Sequence, residues 1–325
     1  MDRFARYSWL TLAFTVVVVL GGALVRATGS GAGCGSHWPL CNGEILPATG
    51  NHKTLIEFSH RVTSGLLLVL AVGAFRFRPR GHAVRKAALV SLAFLLSEAA
   101  VGAGLVKFEL VADNPSMAHG LAMAAHLVNT FFLLAAVTLT AWFASGGAPF
   151  RVRRQGSFGG GLLLGTTGLL LAGVSGAIAA LGDTLFPSMT LAAALARDLS
   201  PTAHALIRLR VWHPVLSTTA GLLVLVLAVQ LRKRGLFEAA TRRFALGVAV
   251  LVGVQIGAGV LNILLLAPVW MQLVHLLLAD LLWISFVLMG ASALAASAST
   301  EAAAAPLPPP EAFSPGGGLA ARQKP

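Results

Sequence analysis

Eight long apolar runs, at about 8–27, 58–76, 84–107, 117–144, 159–182, 204–231, 241–266 and 269–296, fill most of the 325-residue chain. Each is close to the roughly 20 residues that a helix needs to cross the hydrocarbon core of a bilayer. Lipid offers no partner to a backbone N–H or C=O, so a spanning run must satisfy its own hydrogen bonds as a helix. The expected fold is therefore an all-α integral membrane protein with eight transmembrane helices. Composition agrees: 56% hydrophobic and 11% charged residues leave too little polar surface for a soluble domain of this size. The first run, Trp9 to Val25, is long enough to span and no small-residue cleavage pattern clearly follows it, so it is read as the first helix and not as a removable signal.

The formal net charge of +12 is not a nucleic-acid signature, because the basic residues sit in short clusters between the apolar runs. Arg3 and Arg6, then Arg76, Arg78, Arg80, Arg85 and Lys86, then Arg151, Arg153 and Arg154, then Arg232, Lys233, Arg234, Arg242 and Arg243 fall on one side of the expected membrane. The positive-inside rule makes that side cytoplasmic, with both termini. The long connections at 28–57 and 183–203 then face outward. The Ala/Pro/Gly-rich segment 298–325 reads as a disordered cytoplasmic tail.

Ionisable residues inside the runs are costly and point to function. The stretch Glu57-Phe58-Ser59-His60-Arg61 opens the second run, with Glu57 one helical turn before His60. The pattern of histidines then repeats. Runs two and four hold His60 and His126; runs six and eight hold His213 and His275. Gly102-Ala103-Gly104 is echoed by Gly257-Ala258-Gly259, and Ser64-Gly65-Leu66-Leu67 after His60 by Ala220-Gly221-Leu222-Leu223 after His213. These echoes divide the chain into two pseudo-symmetric four-helix bundles, 1–145 and 155–297. Two histidines on different helices of one bundle are what bis-imidazole ligation of a haem needs. Each half could hold one haem, although single histidines that only bond a neighbouring helix are common. His119 competes with His126, since it lies seven residues earlier on nearly the same face. His204 lies at the edge of its run, and His37, His52 and His82 fall in loops. Glu98, Asn129, Gln255, Asn262 and Asp280 also lie inside the runs, and interhelical hydrogen bonding accounts for them as well as chemistry does.

The two cysteines, Cys34 and Cys41, share the first outward connection. A short Cys-x6-Cys loop on the oxidising side can close into a structural disulfide. It can also serve as an exposed dithiol that cycles with a partner. Two cysteines without a second pair argue against zinc.

The run Gly22-Ala23-Leu24-Val25-Arg26-Ala27-Thr28-Gly29-Ser30-Gly31, the following Cys34 and Trp38-Pro39-Leu40-Cys41, and the Glu57 to Arg61 stretch together resemble the heme A synthase family. The likeness is strongest in the first half and extends by helix order and histidine placement over all eight runs. It implies a bacterial inner-membrane enzyme that oxidises a methyl group of heme O to the formyl group of heme A by successive hydroxylations. It implies a heme b cofactor on His213 and His275 in the C-terminal half, and the substrate haem flanked by His60 and His126. It further implies a catalytic Glu57, a redox role for Cys34 and Cys41, and heme O synthase and a quinone or thiol-disulfide electron acceptor as partners. Two departures stand out. Many relatives have Arg after the third histidine where this chain has Pro214, and many have a second cysteine pair where 183–203 has none. The competing expectation is a non-catalytic di-haem cytochrome b that moves electrons from quinol to a partner. A haem exporter would call for more polar residues along the runs.

Overall fold

The computed structural model describes residues 2–48, 50–76, 82–150, 156–233 and 239–304. Among the described residues ten helices follow one another: α1 Arg3–Ala27, α2 His52–Arg76, α3 Ala83–Lys107, α4 Met117–Ala144, α5 Gly156–Leu185, α6 Leu191–Asp198, α7 Ala205–Arg210, α8 Trp212–Lys233, α9 Ala239–Leu264 and α10 Val269–Ala304. Taking α7 and α8 as one span, eight segments among the described residues are long and apolar enough to cross a membrane. The chain is a multi-pass, all-α membrane protein. Among the described residues the only β pairing is an isolated bridge between Cys41 and Glu44.

Local chemistry sets the helix ends. Asp2, Ser116 and Thr190 each accept a backbone N–H from the first turn of α1, α4 and α6, the ordinary cap of an N-terminus. His82 and His204, read above as a loop residue and an edge residue, cap α3 and α7 in the same way through a ring nitrogen. The sixth expected run is interrupted at Val211. Pro214 has no N–H to give to the carbonyl of Arg210, so the helix ladder loses a rung just before His213.

The eighth helix departs from expectation at its end. Residues 298–304, assigned above to a disordered tail, continue α10. That stretch is rich in alanine, the strongest helix former, and nothing in it breaks a helix. Residues 305–325 lie outside the described residues, as do Arg78, Arg80, Arg151, Arg153, Arg154 and Arg234 of the charge pattern.

Sequential neighbours pack together. α1 lies against α2, α2 against α3 and α3 against α4; α5 lies against α8, α8 against α9 and α9 against α10. The two sets meet where α1 and α4 contact α5 and α10. Phe131 of α4 stacks on Trp283 of α10 with ring centres 5.2 Å apart, and the indole N–H donates to the Phe131 carbonyl at 2.7 Å. Nearer the end that carries the cysteines, Arg26 of α1 donates to the Ala180 carbonyl (2.7 Å) and Thr184 Oγ1 (2.8 Å) of α5, and to Gln272 Oε1 (2.8 Å) of α10. A guanidinium with its donors spread over two helices of the other set fixes the relative position of the two sets at that end.

Candidate functional site

The stretch that opens α2 does its first work on the loop before it. Cys34 and Cys41 are joined in a disulfide with Cα atoms 4.4 Å apart, and both are buried, at 0% and 1% exposure. The access for exchange expected of an exposed dithiol is therefore absent. The loop folds back onto the first turns of α2: Thr54 Oγ1 donates to the Gly33 carbonyl at 2.7 Å. The Cys34 N–H donates to Glu57 Oε2 at 2.8 Å. Arg61 pairs with Glu57 Oε1 at 2.5 Å and gives its other terminal nitrogen to the carbonyls of His37 (2.7 Å) and Leu40 (2.6 Å). Glu57 is only 4% exposed, and one hydrogen bond to each carboxylate oxygen, one of them from a guanidinium, is how a buried carboxylate is tolerated. The motif Glu-x-x-x-Arg is thus a clamp that closes the cysteine loop over the end of α2.

His60 sits one turn deeper, against α1. A Cβ on Gly22 would lie 3.0 Å from its Cε1 and 3.1 Å from its Nε2, so only glycine lets the ring approach this closely. The other candidate histidine of the first half, His126, stands on α4. His126 in turn has its Nδ1 at 3.5 Å from Glu98 Oε2 of α3. Glu98 accepts from Asn129 Nδ2 and from Thr130 Oγ1, and the Asn129 amide is oriented by Ser97 Oγ at 2.6 Å. His119 is drawn into a different role. Its Nδ1 lies 2.8 Å from the Asn114 carbonyl and the side chain is buried, which marks it as a satisfied residue at the start of α4.

In the second set, His213 of α8 and His275 of α10 face each other with ring centres 6.4 Å apart and planes crossing at 85°. His213 Nδ1 is 3.0 Å from Ser175 Oγ, and His275 Nε2 is 3.4 Å from Gln255 Nε2. Each ring again packs on glycine: a Cβ on Gly176 would be 3.0 Å from His213 Cε1, and one on Gly259 3.2 Å from His275 Cε1.

These residues fit a haem. With each ligating nitrogen about 2 Å from a central metal, two imidazoles on opposite sides place their ring centres on the order of 6 Å apart, as His213 and His275 do. Among the described residues, the buried polar atoms without a hydrogen-bond partner include His60 Nδ1, His126 Nδ1 and His275 Nδ1. Such atoms are uncommon, and each calls for a partner or a function. Both carboxylate oxygens of Asp280 belong to the same group, at 0% exposure; the arrangement gives that residue no role in ligation.

The connection between α5 and α8, without cysteines, is held by charge. Arg210 pairs with Asp183 at 2.8 Å and with Asp198, while Arg197 donates to the carbonyls of Phe186 (2.5 Å) and Pro187 (3.0 Å) and to Ser188 Oγ (2.5 Å). Sequence reasoning assigned no role to Arg210 or Arg26 and did not pair Glu98 with Asn129 and Thr130, because their significance lies in which helices meet and not in spacing along one helix.

Known proteins bear on the same residues. The sequence profile of the family described as COX15-CtaA, cytochrome oxidase assembly protein, matches residues 5–287. A protein of Thermus thermophilus named protoheme IX farnesyltransferase is 50% identical over 300 residues, which are 90% of this chain and 49% of that protein. Proteins named heme A synthase from Bacillus mycoides and Bacillus cereus are 41% and 40% identical over 111 residues, which are 33% of this chain and 36% of each relative. The chain thus spans about half the length of the Thermus relative and matches the Bacillus relatives over about a third of their length. With a profile match over nearly the whole helical region, the chain belongs to the COX15-CtaA family of cytochrome oxidase assembly proteins.

Proposed function

We propose that this protein is a heme A synthase, an oxidoreductase that converts a methyl group of heme O to a formyl group by successive hydroxylations with loss of water. The observation that carries the reading is an asymmetry between the two halves, 1–145 and 155–297. Beside His60 stands a buried carboxylate, Glu57, bonded to the disulfide loop; three residues before His213 stands Arg210 instead. Three residues before its histidine one half has an acid and the other a base that is itself paired with Asp183 and Asp198, which suits a reactive site and an electron-relay site. Members of this family bind haem, and we assign heme b to His213 and His275, which would hold it between α8 and α10. When bound, that haem supplies one-electron redox chemistry. His60 and His126 flank the substrate, heme O. Glu57 holds or moves a proton at its carboxyl oxygen, and the closed disulfide loop keeps water from the site. In this reading the disulfide end of the bundle faces the outside of the bacterial membrane and both termini face the cytoplasm. A heme O synthase supplies the substrate, and a quinone or a thiol-disulfide protein takes the electrons.

A second reading draws on the Thermus relative, whose name is a farnesyl transfer to protoheme. Because the chain spans only about half of that protein, the transfer activity has room to reside in the other half. Pigment extraction after expression with and without a heme O-producing enzyme separates the readings. Heme A formed only when heme O is supplied supports the oxidoreductase. Farnesylated haem formed by this chain alone supports the transferase, and unmodified b-type haem under both conditions leaves a di-haem cytochrome b.

A further inference from the structure

We infer that Glu98 is a positioning residue for His126, acting as the outer acceptor that orients this imidazole toward the substrate haem; the inference rests on His126 being a haem ligand, as proposed above. Glu98 lies about as far from Lys107 at the end of α3 as His126 lies from Met117 at the start of α4, on the order of 14 Å at the helical rise per residue. That depth is near the middle of a bilayer, where a carboxylate is costly and needs a purpose. The local structure invests in this one. Asn129 and Thr130, on the same face of α4 as His126, each donate to a different carboxylate oxygen, and Ser97 fixes the Asn129 amide so that its N–H points at Glu98. The carboxylate is left with one oxygen 3.5 Å from His126 Nδ1, an atom with no other partner.

A metal-bound histidine usually donates its other ring N–H to a carboxylate, a carbonyl or a water, which fixes the tautomer and raises the basicity of the ligating nitrogen. Glu98 is placed to be that acceptor for Nδ1, leaving Nε2 for iron. The other histidines differ in kind. His213 meets a neutral hydroxyl, Ser175, and His275 a neutral amide, Gln255. His60 Nδ1 has no partner and its ring rests on Gly22. Within the first half, then, His126 is the anchored ligand and His60 the unanchored one.

The test uses the full chain purified after co-expression with a heme O-producing enzyme, read by haem-to-protein ratio, electron paramagnetic resonance and potentiometric titration. His126→Ala and His275→Ala identify which signal belongs to which half. Glu98→Gln and Glu98→Ala should move the midpoint potential of the first-half haem upward and weaken its binding by roughly 10- to 100-fold, with the second-half signal unchanged. Where those variants fail to fold, shown by loss of both signals, Thr130→Val removes one of the donors that hold Glu98 and should produce a smaller shift in the same direction. Unaltered potential and resonance of the first-half haem in the folded Glu98 variants, or in Thr130→Val where they do not fold, overturns the role of Glu98 alone. If His126→Ala keeps both haems with unaltered signals, the ligand assignment falls and this inference falls with it.

Discussion

Glu57 and Arg210 hold corresponding places with opposite charge. Each precedes a central histidine by three residues, His60 and His213 respectively, and each ties down the connection that leads into its helix pair. Glu57 receives the backbone of the cysteine loop and the Arg61 guanidinium. Arg210 receives Asp183 from the end of α5 and Asp198 from the end of α6. The connection before each of these histidines is thus tied down by an acid in one case and by a base in the other.

Removing Arg210 tests the second closure. Arg210→Met keeps the apolar stem but leaves Asp183 and Asp198 facing each other without their cation. Deleting one member of a largely buried ion pair costs on the order of 3 kcal/mol. The expected result is a lower thermal midpoint for the purified protein and loss of haem from the second half before the first. An unchanged midpoint would mean that Arg197 and its three acceptors hold the connection alone.

The contrast also explains how much could be read from the sequence. Eight spans, their order and the four histidines inside them were legible because lipid permits only long apolar helices, and because a polar residue inside one stands out against them. Within a helix, Glu57 and Arg61 were legible as an i, i+4 pair. The Arg61 bonds to the carbonyls of His37 and Leu40 were not, since a loop's carbonyl directions are set only once it folds. Glu98 looked like any polar residue in a span until α3 and α4 were set side by side. The break at Val211 could have been inferred from Pro214, whose missing N–H is a property of the residue itself.

Burial of Cys34 and Cys41 beneath the Arg61 clamp gives the cysteine loop a measurable protection. Under mild reductant, wild-type protein should label slowly with a thiol-alkylating probe, because neither sulfur is exposed. Arg61→Gln loses the bonds to the His37 and Leu40 carbonyls and should label severalfold faster, at a rate that tracks loop opening. Equal labelling rates in the two proteins would show that the loop is closed by other contacts. The Cys34→Ala/Cys41→Ala variant should lose about 2 kcal/mol of stability; full specific activity in the folded variant would assign the disulfide a structural role, and poor turnover with normal haem content a redox one.

His213 and His275 make a sharper test of the proposed relay site. A thioether ligand favours ferrous iron over ferric, so His213→Met or His275→Met should raise the midpoint potential of the second-half haem. Alanine at either place should lose the haem or open a coordination position. Unaltered reduced spectra and potentials in both methionine variants would remove these residues as ligands.

Glu57 carries both a clamp and a proposed chemical role, and two substitutions separate them. Arg61→Gln and Glu57→Gln both abolish the charge pair on α2, and both leave a side chain able to hydrogen bond. Only Glu57→Gln removes the carboxylate. If Glu57 acts solely to hold the cysteine loop, the two variants should lose stability and heme A production alike. If its carboxyl group transfers a proton during oxidation of heme O, Glu57→Gln should retain haem yet slow conversion by roughly 100-fold or more, with the singly hydroxylated haem accumulating. Arg61→Gln should keep most of the conversion rate per folded molecule, since Cys34 N–H still holds Glu57 Oε2 in place. Extracted pigments, separated chromatographically and normalised to folded protein, provide the comparison. Heme A formed by Glu57→Gln at the rate of Arg61→Gln or above would reduce Glu57 to a structural residue and require another group near His60 for the proton.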